Sequence, residues 1–232
     1  MITSATNPRL KLVRRLASRR QREKLGLFVC EGEDLVEAGL AAGLEPVELL
    51  VAGETVAPEL LAGVSSLAHP PRQVAVFRRG HLPRLDPAAA PSTGLALWHV
   101  RDPGNVGAIL RAADGLGPAF VALSEGCADP TGPKALRASM GAVFRVPVGR
   151  FVEAPGRRIA RVAHGGEPLH DLDLSGAVTF VLGAEREGLP ESVAASCEAR
   201  GSIGLEPGAE SLNVALAAAL ALYERRRGRG AG

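Results

Sequence analysis

From residue 94 onward the chain alternates short, nearly unbroken apolar runs with segments of helical period, and few folds accept that pattern. The runs "GLALWHV" (94–100), "AFVALS" (119–124) and "VTFVLG" (178–183) lack the polar alternation of a half-exposed strand, so both faces of each must be covered. Between them, "NVGAILRAADGLG" has the period of a helix closed by glycine. "ALRASMGAVF", "GRRIARVAHG" and "PESVAASC" are also expected to be helical, with "RVPVGRF" and "GSIGL" as short strands and a final helix after residue 213. Strands alternating with helices make a parallel sheet covered on both sides.

The N-terminal part repeats the alternation on a smaller scale. A first helix presents Leu10, Val13, Leu16 and Ala17 on one face. "LFVCEG" suits a strand, "EDLVEAGLAAG" a helix, and "PVELLVAG" and "QVAVFRR" two further strands. "LPRLDPAAAPST" carries three prolines and no apolar period. The expected division is an α/β domain over 1–85, a linker over 86–93 and a larger α/β domain over 94–232.

Several classes are disfavoured at once. No run of eighteen apolar residues occurs and residues 1–20 are cationic, so the expectation is a cytoplasmic protein without a membrane span or secretory signal. Cys30, Cys127 and Cys197 are scattered and odd in number, as reduced thiols rather than a disulfide framework or zinc site. HExxH, GxSxG, GxGxxG and GxxxxGK[ST] are all missing, and no metal is expected.

Charge is distributed unevenly. Arg9, Lys11, Arg14, Arg15, Arg19, Arg20, Arg22 and Lys24 crowd the first 27 residues against the single acid Glu23, and Arg225, Arg226, Arg227 and Arg229 crowd the other end. Clustered arginine gains affinity for a polyanion such as RNA, although a solvated basic helix has the same appearance.

Ligands of open parallel sheets bind beyond the carboxyl ends of the strands, where three loops carry unusual residues. In "RDPGNVGAILR", Asn105 is placed to cap the helix and Arg111 to lean back toward the loop. "LGAEREGLP" sets Gly183 and Gly188 around two glutamates, so that backbone can approach a ligand closely. "GAESLNVALAAALALYERRR" opens a long apolar helix with Ser211 and Asn213 at its mouth, where Ser211 reads as the N-cap and capping alone does not account for Asn213.

Taken in order, "DPGNVGAILRAAD", "LGAEREGLP" and "ESLNVALAAALALYE" resemble the three motifs of the SpoU/TrmH family of RNA 2′-O-methyltransferases. "GPKALRASMGAVFRVPV" extends the likeness, and the first 43 residues resemble the small substrate-binding domain that many members carry. The resemblance implies a trefoil-knotted catalytic domain, S-adenosylmethionine as methyl donor, and a homodimer acting on RNA, with 23S ribosomal RNA favoured and a self-resistance role open. It places the catalytic set on Asn105, Arg111, Glu187, Ser211 and Asn213, and implies that Ser211 and Asn213 are both caps that also face the reacting atoms. Cofactor contacts fall on Leu182, Gly183, Glu185, Gly188, Ile203, Leu205, Ser211 and Leu212. RNA contacts fall on Arg9, Lys11, Arg14, Arg15, Arg19, Arg20, Lys134 and Arg137. Ala184, Gly204 and Ala215 depart from the family pattern; backbone contacts tolerate this, whereas a side-chain bond from an asparagine at 184 is lost. A transfer-RNA methyltransferase and a non-catalytic RNA-binding member are the alternatives.

Overall fold

The computed structural model describes residues 1–229, so residues 230–232 of the expected second domain lie outside it. Two sheets organise the described chain. The smaller is antiparallel, with β1 (Leu27–Glu31), β3 (Gln73–Arg78) and β2 (Glu48–Val51) side by side in that order. The helices α1 (Pro8–Leu16), α2 (Arg19–Leu25), α3 (Glu33–Ala41) and α4 (Pro58–Ala62) accompany it.

The expected single first helix is in fact two. The Asn7 side chain accepts from the Arg9 amide and Pro8 sets the first turn, so α1 starts cleanly and buries Leu10, Val13 and Leu16. Ala17 is exposed, against expectation, because the chain turns at Ser18 into α2, which ends at Gly26 with φ +64°.

The larger sheet has, among the described residues, seven strands in the order β6-β5-β4-β9-β7-β10-β8 with parallel pairing throughout. These are β4 (Thr93–Leu97), β5 (Phe120–Leu123), β6 (Val148–Arg150), β7 (Arg157–Arg161), β8 (Glu167–Pro168), β9 (Val178–Leu182) and β10 (Ala199–Ser202). The central strands β4 and β9 are buried at every residue, as their continuous apolar sequence requires. Around the sheet lie α5 (Pro103–Leu116), α6 (Pro133–Ser139), the short α7 (Glu191–Ala194) and α8 (Val214–Arg229), with α5 against both α6 and α8.

Two expectations fail here. "GRRIARVAHG" is the strand β7, hydrogen-bonded on both sides by β9 and β10, because a run this short fits either period and the sheet decides. "ALRASMGAVF" is broken after α6 by Met140 and Gly141, both in the left-handed region, and continues as a 3₁₀ turn.

The two sheets share apolar contacts, since Phe28 and Phe77 of the small sheet pack with Phe144 of the large domain in one core. A buried polar latch reinforces this contact. Arg22 is 5 % exposed and donates through Nη1 to the Leu16 and Ala17 carbonyls that end α1, and through Nε to Asp129 at 2.9 Å. Asp129 also accepts from Thr131 and pairs with Arg79 at 3.4 Å. Burial would raise the Asp129 pKa, but the Thr131 hydroxyl and amide together with the two arginines hold the carboxyl below its usual range. Cys30 and Cys127 are buried and Cys197 half-buried, all as free thiols.

Candidate active site

The three loops meet at the carboxyl ends of β4 and β9. Asp102, not Asn105, caps α5: its side chain accepts from the Asn105 amide at 3.0 Å, with Pro103 opening the helix. The Lys134 ammonium donates to Asp102 at 2.7 Å and holds its carboxyl below the ordinary range. Because Asp102 caps the helix, the Asn105 side chain is not needed there, and it bridges the other two loops.

Asn105 Nδ2 donates to Glu185 Oε1 at 2.5 Å, and Asn213 Nδ2 donates to Asn105 Oδ1 at 3.1 Å. Asn213 Oδ1 accepts from the Ala215 and Leu216 amides, so Asn213 is the cap of α8. The sense of this chain is forced. Backbone amides only donate and the Glu185 carboxylate only accepts, so both asparagine amides must point the same way between them. Ser211 is exposed and does not cap the helix, which corrects the expectation of two capping residues.

Beside this chain lies a cavity of about 340 Å³. Leu182, Gly183, Glu185, Gly188, Leu205, Ser211 and Leu212 line it, as expected for cofactor contacts, and Glu187 lines it too. Ile203 does not; it packs against the core instead. Gly183 is indispensable to the shape, because a Cβ there would lie 2.1 Å from the carbonyl carbon of Gly188 as the loop folds back. Ala184 and Gly188 pair as an isolated bridge that closes this turn.

A model of the SpoU rRNA methylase family matches residues 92–223. The chain belongs to that family. Residues 7–77 match the MRM3-like substrate-binding domain, so the family carries its accessory domain here. The 23S rRNA (guanosine(2553)-2′-O)-methyltransferase of Bacillus subtilis is 31% identical over 247 residues, covering 97% of this chain and 98% of that protein. An AdoMet-bound rRNA methyltransferase from Sinorhizobium meliloti superposes with a TM-score of 0.87 at 30% identity, covering 98% of this chain and 97% of that one. The SpoU methyltransferase AviRb from Streptomyces viridochromogenes, in complex with AdoMet, gives 0.83 at 26% identity over 97% of this chain and 99% of that one.

Of the motif residues, Glu185, Glu187 and Ser211 line the cavity, Asn105 and Asn213 stand outside its lining and reach it through their hydrogen-bonded chain to Glu185, and Arg111 is outside the lining and exposed on α5. Sequence reasoning missed Arg161, Val162 and Ala163, which line the cavity from the end of β7, the strand mistaken for a helix. Arg161 Nη1 donates to the Val162 carbonyl at 2.9 Å and the Gly201 carbonyl at 2.6 Å, while its Nε is buried without a partner among the described residues. Burial draws this guanidinium below its ordinary range, yet an arginine stays charged at neutral pH.

The expected RNA contacts fare unevenly. Arg9 bonds Glu48 and the Leu49 carbonyl, Arg19 bonds Glu23 and the Cys127 carbonyl, Arg14 the Ala5 carbonyl and Arg15 Gln21. Lys134 is tied to Asp102 and Arg137 to Ser66. Lys11 and Arg20 are exposed. Arg22 and Arg225, counted in the basic ends, are buried, and the side chain of Arg229 lies outside the described residues.

Proposed function

We propose that the chain transfers the methyl group of S-adenosylmethionine to a ribose 2′-hydroxyl of 23S ribosomal RNA. The carrying observation is the Asn213–Asn105–Glu185 chain beside the cavity, because it joins the three motif loops at one place.

The cavity fits the cofactor chemically. Its volume falls within the range of small-ligand pockets, at the lower end of about 300–1,000 Å³. Leu182, Leu205, Leu212 and Ala217 offer apolar surface for an adenine, and the turn at 183–188 offers backbone amides and carbonyls. Glu185, Glu187 and Glu210 suit the cationic sulfonium and ammonium, and Arg161 suits the carboxylate. When bound, S-adenosylmethionine supplies an electrophilic methyl on a positively charged sulfur.

The residues of the chain supply position and charge. Asn105 and Asn213 fix the Glu185 turn against the helix mouth, and Ser211 and Glu187 face the cavity from two loops. Arg111, exposed on α5 outside the cavity lining, would meet the RNA from the solvent side, where it orients the incoming hydroxyl or its phosphate and stabilises alkoxide character as the proton passes to water, the role open to a guanidinium that stays protonated. Asn105, Asn213 and Glu185, already hydrogen-bonded in place, need no reorganisation during the reaction.

The working unit is a homodimer with a knotted catalytic domain. Leu216, Leu220 and Tyr223 are 59%, 40% and 53% exposed on one stripe of α8, an apolar face that a second copy would cover. The accessory domain over residues 7–77 favours ribosomal over transfer RNA. Ribose-methylation mapping of RNA from cells with and without the gene tests this reading. One 23S position should lose its methyl group without the gene; a lost transfer-RNA methyl group, or none, would overturn it.

A further inference from the structure

On the far side of the 184–187 turn lies a second cleft, of about 280 Å³, lined by His99, Arg101, Ala184, Glu185, Arg186 and Glu187. It shares its wall, residues 184–187, with the cofactor cavity. We propose that this cleft is a nucleotide subsite, in which the base beside the methylated ribose stacks on the His99 imidazole and its phosphate pairs with Arg101 and Arg186. The proposal rests on the RNA reading above and deepens it.

His99 has features that a spacer residue does not need. Its φ of +54° is in the left-handed region, and among the described residues only Met140 shares that feature outside glycine. The conformation is held by a bond from the His99 amide to Ser124 Oγ at 2.9 Å. The held ring lies parallel to the Trp98 indole, 10° apart with centroids at 4.7 Å, and Trp98 is braced edge-on by Phe151. Backbone kept in a sparsely populated region at a loop bordering a cavity indicates a positioned side chain. A rigid pair of stacked rings is a platform for a nucleobase, since every base has a π-face. Two guanidinium groups suit a phosphodiester, and they balance the Glu185 and Glu187 carboxylates that line the same cleft. An acceptor must approach the cofactor from a side that the cofactor leaves open, and a cleft across one shared turn provides that side.

The test uses the full chain with S-adenosylhomocysteine bound and two fluorescein-labelled probes, a short oligouridylate and its abasic ribose-phosphate counterpart, followed by anisotropy at low salt. The wild type should prefer the base-bearing probe by roughly tenfold, the scale of stacking one base. His99→Asn keeps a residue suited to left-handed backbone and removes the ring. It should lose the preference while binding the abasic probe as before, whereas His99→Phe should keep it. Arg101→Ala and Arg186→Ala should weaken both probes alike and flatten the salt dependence. Full preference in His99→Asn, or wild-type binding by both arginine variants, overturns the subsite. A wild type that binds neither probe overturns the RNA reading itself, a separate result. Melting curves of each variant exclude unfolding as the cause, and if His99→Asn is destabilised, the preference of His99→Phe decides.

Discussion

Asn213 performs two tasks with two different atoms, and they can be separated. Its Oδ1 caps α8 through the Ala215 amide at 2.9 Å, and its Nδ2 reaches Asn105 at 3.1 Å. Asn213→Ala removes both. The cap contributes about 1 kcal/mol, and the exposed side-chain bond about 0.5–1 kcal/mol. Together they predict a fall in melting temperature of roughly 3–8 °C for a chain of this size. Asn213→Asp keeps the capping oxygen, and its charge is favourable at a helix N-terminus. It loses the donor to Asn105, however, and sets a carboxylate against an acceptor. This variant should therefore melt within about 2 °C of wild type, yet transfer labelled methyl from S-adenosylmethionine to ribosomal RNA at least about tenfold more slowly, a loss of about 1.4 kcal/mol from the transition state. Wild-type turnover in Asn213→Asp would remove the asparagine chain from the mechanism. Melting as low as Asn213→Ala would refute the cap.

The latch beneath the accessory domain gives two further outcomes. Arg22→Ala leaves buried Asp129 with Thr131 and the more distant Arg79, at 3.4 Å, and frees two α1 carbonyls, so urea unfolding should show a loss of about 3 kcal/mol. The Asp129 pKa is lowered on folding, so its contribution is complete above the unfolded value of about 3.9 and is lost as the pH falls through the lower folded value. Stability measured below about pH 4 should fall more steeply in wild type than in Asp129→Asn. On the exposed α8 stripe, Leu216→Glu combined with Tyr223→Glu should give a monomer in sedimentation, and an unchanged mass would exclude this face as the dimer contact.

Much of the catalytic sheet was legible because β4, β5 and β9 must be apolar on both faces, a constraint that few other arrangements satisfy. β7 was not, since "RRIAR" reads equally as a turn of helix and only its two strand neighbours decide. Arg161 was lost with it, because a residue at a strand end is placed by the sheet rather than by its own neighbours. Asn105 was assigned to the right loop, but the cap of α5 is Asp102 and not Asn105. The earlier signal was present in "DPG", an acceptor before a proline at the first helical position. Arg22 was hidden for a different reason: a charge among seven other basic residues looks solvated, and its partner Asp129 lies 107 positions away.

The central claim, that the turn at 183–188 is folded against itself to form one wall of a cofactor cavity, is tested most directly by calorimetry. S-adenosylmethionine titrated into wild type should bind at one site per chain. In Gly183→Ala the added Cβ, 2.1 Å from backbone, pushes the turn away, and binding should be lost while the chain still melts cooperatively. Equal affinity in the two proteins would contradict the account.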